Sequence, residues 1–307
     1  MKAIRPVIIT DDLYTSSNLI EDDAPVYDAG TTYALGDQII VAATHRIYES
    51  LIEANIGNYP PDNLESDDPA INPIPWKSLG ATNKWRVFDQ AVGNQAEHAD
   101  LLEFEITPGL IIDSIGFQNL EGVTALVSMT DLTDGEVYNQ EIPLISTSNV
   151  FDWYDYFFAP IQKVRAAVLW DIPPYPDATL SITISNSGSV AKCGEIIPGQ
   201  QRKLGTTKMG LSAGITDYSV KKYDEDAGAY DIEERAYYKE TSCNLRVNNY
   251  ELDDVFRILT ELRATPVVWV AVDNYAAFNV YGFFKDFQIE MTYSRHSECS
   301  LDIEGLT

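Results

Sequence analysis

The sequence predicts a mainly β protein of three parts: a small β module, a β-sandwich or jelly roll, and a carboxy-terminal α+β domain with one amphipathic helix against an antiparallel sheet. Three observations carry this expectation. Short runs of β-branched and aromatic residues recur along the chain, separated by Gly, Pro, Asn and Asp turn signals. One segment alone, 252–262, is convincingly helical in its periodicity. Residues 27–85 space their aromatic residues, glycines and prolines as a mini-fold of about fifty residues would, near the lower size limit for a core without disulfides. The expected division is an arm at 1–24, the module at 25–84, the sandwich at 85–193 and the α+β domain at 194–307.

In the arm, Val7-Ile8-Ile9-Thr10 is strand-like, and it either adds to the sheet of a neighbouring copy or pairs within its own chain. The module begins with Tyr33-Ala34-Leu35-Gly36-Asp37-Gln38-Ile39, in which Gly36-Asp37 reads as a turn feeding a strand. A second strand is expected at 46–51. Gly57, Pro60 and Pro61 then break regular structure, and the Pro-rich, acidic stretch up to Pro75 cannot supply a sheet interior. Trp76 closes the unit. Tyr33, Tyr48, Tyr59 and Trp76 must fill this small core or lie across its face. Tyr59, beside two prolines in a loop, is the better candidate for an exposed platform.

Strand signals continue at 101–106, 110–117, 124–129, 137–144, 164–170 and 179–185, with turns at Asp134-Gly135, Pro173-Pro174 and Asn186-Ser187-Gly188. This spacing, almost without helical periodicity, signals a sandwich or jelly roll. The densest aromatic cluster is Phe151-Asp152-Trp153-Tyr154-Asp155-Tyr156-Phe157-Phe158. It reads either as an interface anchor, with Trp153, Tyr154 and Tyr156 as the contact residues, or as a strand or loop covering the sandwich core.

Residues 194–200 read as a linker or loop. Strands are expected at 215–220 and 229–238 around the acidic turn Asp224-Glu225-Asp226-Ala227-Gly228, which lacks the ligand spacing of an EF-hand and is explained as well by a hairpin tip. Leu252, Val255, Phe256, Leu259 and Leu262 then form one helical stripe, with Asn248 and Glu251 as a capping box and Pro266 beyond its end. Strands follow at 267–272 and 278–287, then an alternating run with Ile289, Met291 and Tyr293 on one face, then 299–303. Such a helix against an antiparallel sheet defines the α+β unit.

Composition bounds the function. With 47 acidic against 21 basic residues, the formal net charge is −26. Such a field repels nucleic acid and anionic lipid at long range, so neither sequence-specific nucleic-acid binding nor membrane insertion is expected. No eighteen-residue apolar run and no secretory signal is read from the chain. Cys193, Cys243 and Cys299 are few and far apart, which argues against zinc and disulfide frameworks. His45, His98 and His296 lie in no nucleophile or metal motif. No phosphate-binding loop, dinucleotide fingerprint or Gly-x-Ser-x-Gly elbow is present, and acid pairs such as Asp22-Asp23 and Asp67-Asp68 arise by chance in so acidic a chain. The expectation is a non-enzyme without cofactor.

Two resemblances sharpen this picture. The order Tyr33-x-x-Gly36-Asp37-x-Ile39, Tyr48-Glu49-Ser50, Gly57-x-x-Pro60-Pro61 and Trp76 resembles the carbohydrate-binding modules of chitinases and of bacteriophage tail proteins, in which exposed aromatic rings stack on sugar faces. That resemblance implies carbohydrate-binding roles for Tyr33, Tyr48, Tyr59 and Trp76. The runs Leu262-Arg263-Ala264-Thr265-Pro266-Val267-Val268-Trp269-Val270, Val280-Tyr281-Gly282-Phe283-Phe284-Lys285-Asp286-Phe287 and Ser300-Leu301-Asp302-Ile303-Glu304-Gly305-Leu306 resemble tail proteins of long-tailed bacteriophages. Residues 131–138 and 153–158 are similar to the sandwich of the same group. This likeness implies a self-assembling virion component of the tail tip or baseplate, of the distal-tail kind. It would be made in the host cytoplasm and carried in the virion tail, with other tail proteins and host-surface glycan as partners. Trp269 joins Trp153, Tyr154 and Tyr156 as an expected assembly-interface residue. The alternatives are a dedicated receptor-binding protein and, less favoured, a tail-associated polysaccharide depolymerase.

Overall fold

The computed structural model describes residues 1–64, 74–146, 150–224, 229–273 and 275–306. The protein is mainly β, built on a ten-stranded antiparallel sheet and a five-stranded antiparallel sheet, with a separate three-stranded module and one long helix.

The large sheet runs in the order Ala167–Leu169, Ser114–Gln118, Glu195–Lys203, Lys2–Pro6, Val267–Val270, Asn279–Glu290, His296–Gly305, Tyr237–Asn248 and Thr206–Thr207, with Ser212–Asp217 also paired to Tyr237–Asn248. The five-stranded sheet runs Tyr14–Ser17, Ala96–Ile106, Thr179–Cys193, Thr124–Asp131, Gly135–Pro143. Alternation makes it a sandwich layer: Leu180, Ile182 and Ile184 point inward from one strand, and Leu102, Phe104 and Ile106 from its neighbour. They meet Ile115, Phe117, Leu169 and Ile196 from one end of the large sheet in a common core. The second layer of the sandwich is therefore part of the sheet that also builds the carboxy-terminal half. Ser114–Gln118 and Ala167–Leu169, expected in the sandwich unit, are hydrogen-bonded into the same sheet as the strands after residue 194.

The other end of the large sheet carries the helix Leu252–Glu261. Val255, Leu259 and Leu262 pack on Leu245, Val247, Val267, Trp269, Leu301 and Ile303. Phe256, expected on the same stripe, is exposed at the helix flank, with its ring 6.1 Å from that of Phe287. The expected capping box is also corrected. A short 3₁₀ turn, Asn249–Glu251, precedes the helix, so Asn248 Nδ2 donates to Glu251 Oε2 (3.0 Å) and caps no backbone N–H.

Further expectations change. Residues 194–200 are not a linker. Glu195–Lys203 is an interior strand whose first five residues are buried, since the sandwich core covers Ile196 on one face while Ile4, Val268, Val270 and Tyr281 cover Ile197 on the other. The arm pairs within its own chain, and its strand is Lys2–Pro6, one side on Glu195–Lys203 and the other on Val267–Val270. Of 110–117, only Ser114–Gln118 is strand, while Leu110 and Ile111 are exposed beside the turn at Gly109. At the other end, Asn279–Glu290 is one strand, and Met291 and Tyr293 stand exposed past its end. The expected strands at 215–220 and 229–238 are each divided: Ser212–Asp217 pairs with Tyr237–Asn248, and Val220–Asp224 pairs with Ala229–Glu233 around residues 225–228, which lie outside the described residues, as does Asp67-Asp68.

Close backbone approach fixes the middle of the large sheet. A Cβ on Gly199 would sit 2.1 Å from Arg5 O, which no side-chain motion relieves. Gly199→Ala is therefore expected to destabilise the fold by about 3 kcal/mol or more. Urea denaturation of wild type and variant measures this; equal midpoints would contradict it.

Candidate functional site

The module consists of Gln38–Val41, Arg46–Ser50 and Trp76–Ala81 in one antiparallel sheet. Tyr33, Tyr48 and Trp76 are buried with Ile39 and Val41 in its core. Their polar ends are satisfied inside: Trp76 Nε1 donates to Asn58 O (2.8 Å), Tyr33 OH accepts from Asp28 N (2.8 Å), and Tyr48 OH lies 3.1 Å from Thr44 Oγ1. So small a unit spends its large rings on apolar burial, and these three cannot stack on a ligand. Tyr59 is exposed and held by its loop, where Asn63 Nδ2 donates to Tyr59 O (2.8 Å) and Asn58 Nδ2 to Asn55 Oδ1 (2.8 Å). Beside it stands Tyr27, half-buried, with its ring edge-on at 5.7 Å. Tyr27 had a signal in the sequence, an aromatic residue six positions before Tyr33, but it lies outside the quoted motif. Leu35 and Ile56 are also exposed on this module.

The second aromatic surface is stronger. Residues 151–158 are neither a strand nor a cover for the core. They form a short helix, Trp153–Phe158, carried on the two-stranded ribbon Ile145–Ser146 and Gln162–Lys163. Asp152 and Asp155 start it, since Asp152 Oδ1 accepts from Asp155 N (2.9 Å) and Asp155 Oδ2 from Phe151 N (3.1 Å). No residue of the helix is buried. Phe151, Trp153, Tyr154, Tyr156, Phe157 and Phe158 are between 67 and 86% exposed, and Ile161 is 73% exposed. The rings touch one another, Tyr154 to Phe158 at 4.8 Å and Tyr156 to Phe157 at 5.2 Å. Trp269, expected to share this surface, does not. It is fully buried in the carboxy-terminal core and donates from Nε1 to Gly282 O (2.9 Å).

A polar junction ties arm, module and sandwich together. His45 Nδ1 lies 2.9 Å from Glu21 Oε1 and Nε2 lies 2.7 Å from Asp11 Oδ1, the latter within ion-pair range but off the line of an N–H bond. The imidazole stacks on Trp85 at 4.3 Å, and Thr82 Oγ1 donates to Glu21 Oε1 (2.6 Å). His98 Nδ1 lies 2.9 Å from Ala99 O, and His296 stacks on Tyr293 at 4.4 Å. Cys193, Cys243 and Cys299 are buried. Burial raises all three thiols, Cys243 to about 11 and Cys299 to about 12, so they remain protonated and unreactive at neutral pH. Among the described residues, no group of three or more His, Cys, Asp and Glu side chains is placed to hold a metal, and no helix is long and apolar enough to cross a membrane.

A carboxyl pair, buried Glu195 and half-buried Asp89, lies where the strand Glu195–Lys203 begins. Burial is the main cause that pushes Glu195 up to about 9, with the Asp89 charge adding to it and one hydrogen bond from Gln90 N (3.0 Å) opposing it. Burial raises Asp89 too, but hydrogen bonds from Ala91 N (2.8 Å) and Asn94 and the nearby Arg46 and Arg86 charges counter it, so Glu195 is the partner that holds the proton.

Compared with protein-family models and with curated proteins, the chain matches none.

Two outcomes follow from this geometry. Trp76→Ala is expected to cost the module about 3–5 kcal/mol and Tyr59→Ala less than about 1 kcal/mol, read by denaturation followed through aromatic fluorescence. Equal losses would contradict the division between core and surface. Glu195 titrates near 4.5 when unfolded and about 9 when folded, so the folded state binds more protons between these values and stability falls as pH rises through that window. Glu195→Gln is expected to flatten this slope and to stabilise the protein by roughly 2–5 kcal/mol at pH 9, with no gain below about pH 4.5. Parallel slopes for variant and wild type would refute the assignment.

Proposed function

We propose that the chain is a non-enzymatic structural protein that assembles with copies of itself, as a component of a bacteriophage tail tip or baseplate, and that its module adheres to host-surface glycan. The observation that carries the reading is the exposed aromatic helix on its ribbon. Six aromatic side chains of about 150–250 Å² each, at least two thirds exposed, present on the order of 800 Å² of mostly apolar surface. That is above the few hundred Å² a soluble monomer usually leaves in one patch, and it equals one partner's share of a standard interface. The helix fills no part of its own core, so its apolar side chains are explained by contacts made in an assembly. The tail assignment rests on the sequence resemblance of 262–270, 280–287 and 300–306. Glycan adhesion rests on the resemblance of the module and on exposed Tyr59 with Tyr27; Tyr33, Tyr48 and Trp76 have no part in it.

Sedimentation velocity of the purified chain over a range of concentrations tests the proposal. A closed oligomer of fixed mass is expected for wild type. Replacing Trp153, Tyr154 and Phe157 together by Ser is expected to shift the protein to monomer without changing its melting temperature, because these side chains make no contact with the core. A wild-type monomer, or the same oligomer in the variant, would count against self-assembly through this helix.

A further inference from the structure

The chain enters the module at Pro25, whose carbonyl accepts from Ile40 N (2.8 Å), and leaves it after Trp76–Ala81. His45, in the turn between Gln38–Val41 and Arg46–Ser50, touches the chain on both sides of that insertion. Asp11 and Glu21 precede the module, and Thr82 and Trp85 follow it. Thr82 N donates to His45 O (2.9 Å), and the imidazole lies on the Trp85 indole with the two rings 23° from parallel. One ring nitrogen is 2.9 Å from Glu21 Oε1 and the other 2.7 Å from Asp11 Oδ1.

The charges around this ring do not balance without a proton on it. Three carboxylates come from the arm: Asp11, Glu21 and Asp23. Arg86 Nη2 stands 3.8 Å from Asp23 Oδ1, while its Nε and Nη1 donate to Ala81 O (3.4 Å) and Gln95 O (3.2 Å). Lys84 lies over the Tyr14 ring (5.1 Å), and Arg46 Nη1 donates to Ser78 Oγ (3.2 Å). Among the described residues, His45 is the one ion-pair partner of Asp11 and of Glu21. A neutral imidazole has one N–H and one lone pair, so with a carboxylate at each nitrogen either tautomer sets its lone pair against an anion. The imidazolium alone offers positive charge and an N–H at both nitrogens, and it also gains from the indole face beside it. The side chains of His45 and Glu21 are only 20 and 21% exposed, so salt screens this pair little.

We propose that His45 is a pH-sensitive latch between the module and the rest of the chain, closed while the ring is an imidazolium and released when it loses its proton. The closed state holds a proton that the released state gives up, so closure is favoured in acid and lost as pH rises. The module core, with Tyr33, Ile39, Tyr48 and Trp76, contains none of the latch residues, so release moves a module that stays folded. The latch depends neither on what the module adheres to nor on the aromatic helix, and its failure leaves both proposals standing.

Pulsed dipolar electron spin resonance on the full chain is the test. Nitroxide labels go on Lys77→Cys in the module and Leu132→Cys in the sandwich, both exposed positions, and the labelled protein is diluted with unlabelled chain so that distances within one copy are read. The three native thiols are buried and leave the label to the new ones. Histidine changes charge between about pH 5 and 8, so spectra are compared at about pH 5.5 and about pH 8. One narrow distance is expected in acid, and its population relative to all others is expected to fall about tenfold at the higher pH. Asp11→Asn is expected to keep the narrow distance at both pH values, because the amide donates to Nε2 of a neutral ring while Nδ1–H donates to Glu21. His45→Gln is expected to give the same distribution at both. A wild-type distribution that does not change with pH, or a pH response that persists in Asp11→Asn or in His45→Gln, would overturn the proposal.

Discussion

The strand Lys2–Pro6 holds the rest of the molecule in register. It is paired along its whole length to Glu195–Lys203 and over three residues to Val267–Val270, so it is the seam between the half of the large sheet that closes the sandwich and the half that carries the helix. Its neighbours come from far along the chain, and even the amino-terminal ammonium group is tied, donating to Gly205 O (2.6 Å). Ala3 and Ile4 are completely buried and face opposite sides, Ala3 toward the helix-bearing core and Ile4 toward Ile197, Val268 and Tyr281. Without this strand the sheet has two open edges in its interior, and sandwich and α+β unit lose their shared layer.

That continuity explains where the aromatic side chains go. Trp269 and Trp76 serve as core because each lies on a strand covered on the relevant face, and each indole N–H finds a backbone carbonyl. The rings of 151–158 have no such option, since the ribbon that bears them leaves the sandwich after the buried Leu144 and returns at Val164, whose N–H donates to Leu144 O (2.8 Å). The helix there is kept by two aspartates and by ring-to-ring contacts, and none of its residues is buried. The same continuity creates a cleft lined by Gln118 and Asn279, because strands from both halves converge there.

Much of the fold was legible in the sequence. Period-two alternation found the strands at 124–129, 179–185 and 299–303, and period 3.6 found the one long helix through Val255, Leu259 and Leu262. What alternation cannot reveal is a strand covered on both faces. Glu195–Lys203 carries Pro198 and Gly199 and so imitated a linker, although Gly199 is there because Arg5 O passes too close for any side chain. Composition likewise marked 151–158 as aromatic without telling helix from strand, because the deciding feature is Asp152 capping, not periodicity. The candidate sites were half visible. Tyr59, Trp153, Tyr154 and Tyr156 are exposed, whereas Tyr33, Tyr48, Trp76 and Trp269 are interior, a difference that depends on partners distant in sequence.

The proposed self-assembly depends on the exposed aromatic helix as the contact surface between copies. Placing a photo-crosslinking phenylalanine analogue at position 154 and irradiating the assembly formed by that variant reads the contact directly. A covalent dimer, with the cross-link mapped by mass spectrometry to a second copy of the chain, is the predicted result. Irradiation that leaves only monomer, with products confined to neighbouring residues of the same ribbon, would contradict it.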